Sequence, residues 1–365
     1  MMDKEDWEHA KKRWEAWWEH GLHDRVLVQA TAPRADVDPR RLPHLPDEDE
    51  VDPRTAQSDF DYMIPRMVRE VETTYYGGEA VPLFGAGLSV GWSLPFGCEP
   101  EFRRGTVWAE PLPVKEDGYP EIVFSEDNPW WRNYLSGAGR AARASRGRYF
   151  ILPQMGNDAG DTLALIRGGQ TLMMDIAEDP EWVASAVAKI SDIIMERDRE
   201  VASVASPEAC GIEGNVNDHR CWWSGSARGV NCDISCMVSA RTLEEIFLPS
   251  LVKTMRCFQR NSYELDGPGA IHNLDVLLDV PELDAIQWIP GDGRREAMQW
   301  APLIRRVQDK GKSLRMTVRP EEIEPMLRDV RPEGLCFSTE CETEAEAREL
   351  VEHVGRLSRQ ARRPR

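Results

Sequence analysis

The residues best placed to do chemistry lie in Ser262-Tyr263-Glu264-Leu265-Asp266-Gly267-Pro268-Gly269. Read as a strand, this run puts Glu264 and Asp266 on one face, because side chains at i and i+2 point the same way. The Gly-Pro-Gly turn ends the strand directly behind them. Two carboxylates turned into an interior need a metal, a cationic partner or a shared proton, since burying both as bare anions is costly. The bland arrangement has Glu264 directed at an outer helix and Asp266 capping the turn. More polar groups stand at other strand ends: Asp233 in NCDIS, Asn157, Asp158 and Asp161 in MGNDAGD, and Gln287 and Trp288 in IQW. Asp161 serves equally well as a cap for the helix of TLALIRG. Trp288 is either core or, standing before Ile289-Pro290-Gly291, a platform for substrate at the rim. His272, just past the Gly-Pro-Gly turn, is placed to bind an anion or simply to pack.

Positioning these groups requires a scaffold, and the chain supplies a regular one from residue 149 onward. Strand-like runs at 149–154, 208–214, 229–235, 262–266, 284–289, 312–318 and 334–339 alternate with helical stretches. Helix starts are marked by Asp179-Pro180, Thr242-x-x-Glu245, Pro320 with Glu321 and Glu322, and Thr343-x-x-Glu346. Strand followed by helix in one direction means a parallel sheet, and about eight such units close a barrel. The expectation is an α/β fold, a (β/α)8 TIM barrel of one domain spanning residues 1–365, with active groups at the C-terminal strand ends. Trp7, Ala10, Trp14, Trp17 and Trp18 share a helical stripe, so residues 1–22 should form an amphipathic helix docked on the barrel. DRVLVQAT (24–31) reads as a strand. Residues 35–148 form a loop-rich insertion in which a helix over 59–71 is followed by an irregular lid at 85–135, with Trp108 lining the mouth. The stretch 149–355 is the most regular part.

With 45 Lys+Arg against 63 Asp+Glu, the formal charge of −18 repels phosphate backbones and anionic lipid surfaces, so neither nucleic acid nor membrane is an expected partner. The basic run 359–365 reads as a frayed tail. Acids in the first residues argue against a secretory signal, and no window is apolar enough for a membrane span. Eight cysteines without a Cys-x-x-Cys pair fit reduced thiols in the cytoplasm.

The run YELDGPGAIHNLDVLLDVPELDAIQWIPGDG (263–293), together with GTVWAEPL (105–112), NCDIS (231–235) and FSTECETEAEAREL (337–350), resembles the uroporphyrinogen decarboxylase superfamily over residues 80 to 355. That resemblance implies a (β/α)8 barrel and either metal-free decarboxylation or zinc-dependent methyl transfer between corrinoid proteins and other acceptors. The decarboxylases carry a Gln-Ala-Gly-Arg type motif, whereas the first strand here reads VLVQATAPR, which disfavours porphyrinogen decarboxylation. The methyltransferases carry a His-x-Cys pair that aligns with Glu264 and Asp266, and a later Cys that aligns with Cys341 or, alternatively, Cys336. The resemblance thus implies a divalent metal, zinc first, at Glu264, Asp266 and Cys341, although carboxylates are harder donors that also suit manganese, iron or no metal. The function it implies is a methyltransferase or demethylase for a small methylated compound, with Asp233 or Asp161 orienting it. A corrinoid carrier protein or a tetrahydrofolate-type carrier would accept the methyl group. The alternatives are a metal-free decarboxylase or lyase acting on a small acid, with Asp266 or Asp233 handling the proton, and a barrel that binds a ligand without catalysis.

Overall fold

Strands of four to seven residues that mix apolar and polar side chains build the centre of the molecule. The computed structural model describes residue 4 and residues 6–113, 118–152, 154–291 and 296–361. Pro153, within the expected strand 149–154, residues 292–293 of the superfamily-like run and most of the basic tail 359–365 lie outside them. The strands are β1 (Leu27–Pro33), β2 (Thr74–Gly78), β3 (Leu83–Gly85), β4 (Glu99–Arg103), β5 (Thr106–Glu110), β6 (Phe150–Leu152) and β7 (Asn215–Val216). They continue with β8 (Trp222–Trp223), β9 (Ala227–Val230), β10 (Arg260–Asp266), β11 (Ala285–Ile289), β12 (Ser313–Thr317) and β13 (Leu335–Glu340).

Seven of them form one sheet in the order β2-β1-β13-β12-β11-β10-β9. All neighbours pair in parallel except β2, which runs antiparallel to β1. The short strands β3 and β6 pair only with each other among the described residues. The expected single closed parallel barrel is therefore corrected: the hydrogen-bonded ladder is open on both sides of the β3–β6 pair. One cause is local. The run 208–214, expected as a strand lying between β6 and β9, starts instead as a helical turn, Pro207–Cys210, whose N-cap Ser206 accepts from the Ala209 N–H and whose C-cap Gly211 is left-handed at φ 72°. A seam remains there, filled by the hairpin β7–β8.

Among the other strands the period-two reading locates β1, β10, β11, β12 and β13 to within a few residues, whereas 229–235 divides into β9 and a 3-10 turn, Asp233–Met237. Asp179 caps the helix Pro180–Val204, and Thr343 caps Glu344–Ala361. The helix expected to start at Thr242 begins earlier, capped by Ser239. The N-terminal helix Trp7–Trp18 buries Trp7, Trp14, Trp17 and Trp18 as its stripe requires. Trp7 packs edge-on against Trp222 at 5.4 Å, and the Trp18 indole donates to the Trp222 carbonyl at 2.8 Å. Beside it, the wholly buried Glu79 accepts from Arg13, from both Nη atoms of Arg25 and from the Val28 N–H, which ties this helix to β1 and β2.

The insertion contains a 3-10 segment Gly91–Phe96, the antiparallel hairpin β4–β5 and the helix Pro129–Ser145. Its tryptophans build a core of their own, Trp92 packing on Trp131 at 5.9 Å. Among the described residues, no helix is long and apolar enough to cross a membrane, and all eight cysteines are unpaired thiols.

Candidate functional site

Register fixes which side chains meet. Glu264 on β10 stands beside Gln287 on β11, which stands beside Arg315 on β12, so all three face the same side of the sheet. Gln287 Nε2 donates to Glu264 Oε2 at 2.9 Å, and Arg315 Nη1 donates to Gln287 Oε1 at 3.0 Å. Arg315 Nε donates to Gln29 Oε1 on β1 at 2.7 Å, and Gln29 Nε2 donates to the Arg220 carbonyl at 2.7 Å. A continuous polar row thus crosses the sheet near its C-terminal edge.

Two cavities open onto this row. The smaller, about 260 Å³, occupies the seam between β6 and β9 and is lined by Gly85, Leu152, Asn157, Asp218, His219, Asn231 and Glu264 among others. The larger, about 720 Å³, lies over β1, β13, β12 and β11, with Gln29, Arg220, Gln287 and Arg315 in its wall. The Glu264–Gln287 hydrogen bond joins residues that line one cavity each.

The tip of the β7–β8 hairpin, Asn217 to Cys221, reaches into this region. Asn217 Oδ1 accepts the N–H groups of His219 and Cys221 and so folds the tip on itself. Asn217 Nδ2 and His219 Nδ1 both meet Ser262 Oγ, at 2.8 and 2.6 Å. Gly229 on β9 makes room for the imidazole, since a Cβ there would lie 2.9–3.0 Å from its ring atoms. Burial, with Arg315 and Arg228 adding to it, pushes His219 down to about 3, so the ring is neutral at ordinary pH. Its Nε2 stands 4.0 Å from Glu264 Oε2 and supplies no charge there.

Burial, and then the fields of Asp233, Asp266 and Asp218, raise Glu264 to about 7, against the opposing effect of the Gln287 hydrogen bond. Asp218 is likewise raised to about 7 by burial, in spite of Arg228. A carboxyl near 7 holds its proton about as often as not at neutral pH, the condition under which one group both takes and returns a proton.

The other residues singled out from the sequence fall in different places. Asp266 shares the Glu264 face but is exposed at the strand end, outside both cavities; burial raises it. Asp233 stands close enough for Asp266 to raise its pKa after burial, and its buried Oδ1 has no partner among the described residues. Asp161 accepts the N–H groups of Asp233 and Ile234, both at 2.9 Å. It therefore caps the 3-10 turn Asp233–Met237 from across the fold, a role that neither expected alternative described. Trp288 is fully buried and meets Trp300 edge-on at 4.8 Å, and it stands in the wall of the larger cavity. Trp108 is 56% exposed on β5 and lines neither cavity, which corrects its expected place at the mouth. His272 bridges the Gly269 and Val238 carbonyls at 2.7 Å each and so clasps two loops together.

Cys341 follows β13, its N–H bonded to the Thr31 carbonyl. Strands β12 and β11 separate β13 from β10, a gap of roughly 14 Å at the usual spacing, against metal–ligand distances of about 2 Å. Cys336, the alternative donor, is wholly buried on the same strand. Glu264, Asp266 and Cys341 therefore do not fit a shared metal, and among the described residues no three His, Cys, Asp or Glu groups converge on a point where an ion could sit.

The tip residues Asp218, His219 and Arg220 escaped the sequence reading. The signal available was the polar run Asn-Asp-His-Arg ahead of Trp222-Trp223, a turn composition between two strand-forming segments. No protein-family model matches the chain, and no curated protein matches it.

Proposed function

We propose that this protein is an enzyme of the lyase or decarboxylase type in which Glu264 moves a proton on a small molecule bound across the two cavities. The observation that carries this reading is Glu264 itself: a partly buried carboxyl in the wall of the smaller cavity, hydrogen-bonded to Gln287 in the wall of the larger, with its affinity for a proton raised to the neutral range. As carboxylate it accepts a proton from the substrate, and as acid it returns one to the product side. Neutral His219, anchored on Ser262, keeps the neighbouring wall polar without quenching that equilibrium. Methyl transfer through a metal at Glu264, Asp266 and Cys341 is not adopted, because those three groups stand apart.

The test is proton exchange in deuterium oxide. A panel of small organic molecules is incubated with the protein, and deuterium uptake and new products are followed by mass spectrometry. The wild type should label or convert at least one compound, and Glu264→Gln should lower the rate by about 10²- to 10⁴-fold. Undiminished turnover in Glu264→Gln would exclude this role for the residue.

A further inference from the structure

Arg315 presents an unusual electrostatic situation. Its side chain is buried, 5% exposed, and lines the larger cavity. Its only hydrogen-bond acceptors among the described residues are the uncharged amide oxygens of Gln29 and Gln287, which take Nε and Nη1. No carboxylate among those residues forms an ion pair with it. Burial works against its charge and lowers its pKa, the nearby Arg220 adding to that, while Cys221, Cys336 and Glu264 oppose it. A guanidinium does not escape by losing its proton, so a buried one without an anion is costly.

Arg220, though exposed where Arg315 is buried, faces the same space. It lines the same cavity, forms no ion pair among the described residues, and is held at the hairpin tip with φ 58°, a left-handed conformation that a non-glycine residue adopts at some expense. By contrast, the third arginine of this cavity, Arg319, is already paired with Glu321 and Glu322. In a chain of formal charge −18, two guanidinium groups facing one 720 Å³ space without carboxylate partners mark a place where the missing anion comes from outside. Glu340, the remaining unengaged acid of the lining, is exposed at the end of β13.

We propose that the larger cavity is an anion-binding subsite in which Arg315 and Arg220 together hold a carboxylate or phosphate group of the ligand. Gln29 and Gln287 fix the Arg315 plane, leaving Nη2 to donate into the cavity. Since Gln287 bridges Arg315 to Glu264, a ligand anchored by its anion at Arg315 extends its remaining atoms towards Glu264. This deepens the reading above and rests on it only for what happens next to the anion; binding itself does not require Glu264 to react.

The experiment is calorimetric titration of the full chain with malonate and, separately, with inorganic phosphate at low and high salt. Saturable binding of either, weakened by salt, is expected. Preference for malonate identifies a carboxylate group and preference for phosphate a phosphoryl group. Arg315→Gln and Arg220→Gln should each weaken binding about 10- to 100-fold. Arg220→Gln alters an exposed residue, so it keeps the test meaningful should Arg315→Gln fold poorly. Glu264→Gln should bind at least as tightly as the wild type, because it removes a neighbouring acid. Absence of binding by both anions, or wild-type affinity in Arg220→Gln, overturns the subsite. A subsite that binds as described while Glu264→Gln keeps full turnover would leave this inference standing and remove the proton-transfer role alone.

Discussion

Glu264 has a thermodynamic consequence that needs no substrate. Its proton affinity rises from an ordinary value of 4.5 to about 7 on folding, so the folded state binds the proton more tightly than the unfolded chain. Stability from this group is fully present below about pH 4.5 and is lost as pH rises to about 7, by on the order of 2 kcal/mol once partial exposure is allowed for. Urea unfolding of wild type and Glu264→Gln should therefore diverge across that window, the wild type losing stability with rising pH and the variant losing less. Parallel curves would show that the carboxyl titrates near its ordinary value. Residues of this kind were only partly legible in the sequence. Alternation along 262–266 and 284–289 is enough to turn Glu264 and Gln287 to one face. Arg315 looked like an unremarked cation in KSLRMTV, because the partners that define it come from strands 286 and 28 residues away. Asp161 was recognised as a possible cap, but the helix it caps belongs to a segment more than seventy residues later.

At the level of elements, the β7–β8 hairpin is held by contacts that a single added methyl group disturbs. Gly229→Ala would bring a Cβ within 3.0 Å of His219, whose ring is held by Ser262. The expected cost is about 1–3 kcal/mol, as for other overpacked sites. Adding His219→Ala should restore much of it, which a double-mutant cycle by thermal unfolding would measure. Equal destabilisation in the single and double variants would mean that the strain is released elsewhere. The hairpin was unreadable in advance for two reasons. Its strands are two residues each, too short to show a period. The preceding Ser206-Pro207-Glu208 with Gly211 carried a helix start and stop that the apolar run around Cys210 and Ile212 obscured. Long elements were easier: the tryptophan stripe of the N-terminal helix repeats over three turns, and every residue it names is buried, with Arg13 buried beside them. That helix also depends on Glu79, where two arginines meet one carboxylate out of contact with water. Glu79→Gln should cost about 3–5 kcal/mol by leaving the buried Arg25 uncompensated, while Arg13 keeps Asp24, read as a lower denaturant midpoint. A shift under about 1 kcal/mol would assign the docking to the tryptophans alone.

Over the whole molecule, the seven-stranded sheet and the β3–β6 pair differ in how many partners secure each backbone. The inner strands β1, β13, β12, β11 and β10 have a neighbour on both edges, whereas among the described residues β3 and β6 pair only with one another and are three residues long. Alternation of strand and helix indicated a parallel sheet correctly but not its closure, because closure depends on pairing at the seams and no single segment encodes that. On the β6 side, the segment expected to supply the missing strand satisfies its backbone groups locally as a helical turn; on the other, β2 pairs antiparallel with β1 and makes no ladder with β3. Local opening is cheapest where backbone hydrogen bonds are few and flanked by loops. Hydrogen exchange followed by mass spectrometry should therefore show the amides of Leu83–Gly85 and Phe150–Leu152 exchanging at least about 30-fold faster than those of Leu314–Met316 and Phe337–Thr339. Since the smaller cavity lies along this seam, occupancy of the cavity by a ligand should slow exchange in β3 and β6 while leaving β12 and β13 unchanged. Protection in β3 and β6 equal to that of the central strands, before any ligand is added, would mean that the sheet is held shut at the seam in solution and that the cavity there is closed by more than the hairpin.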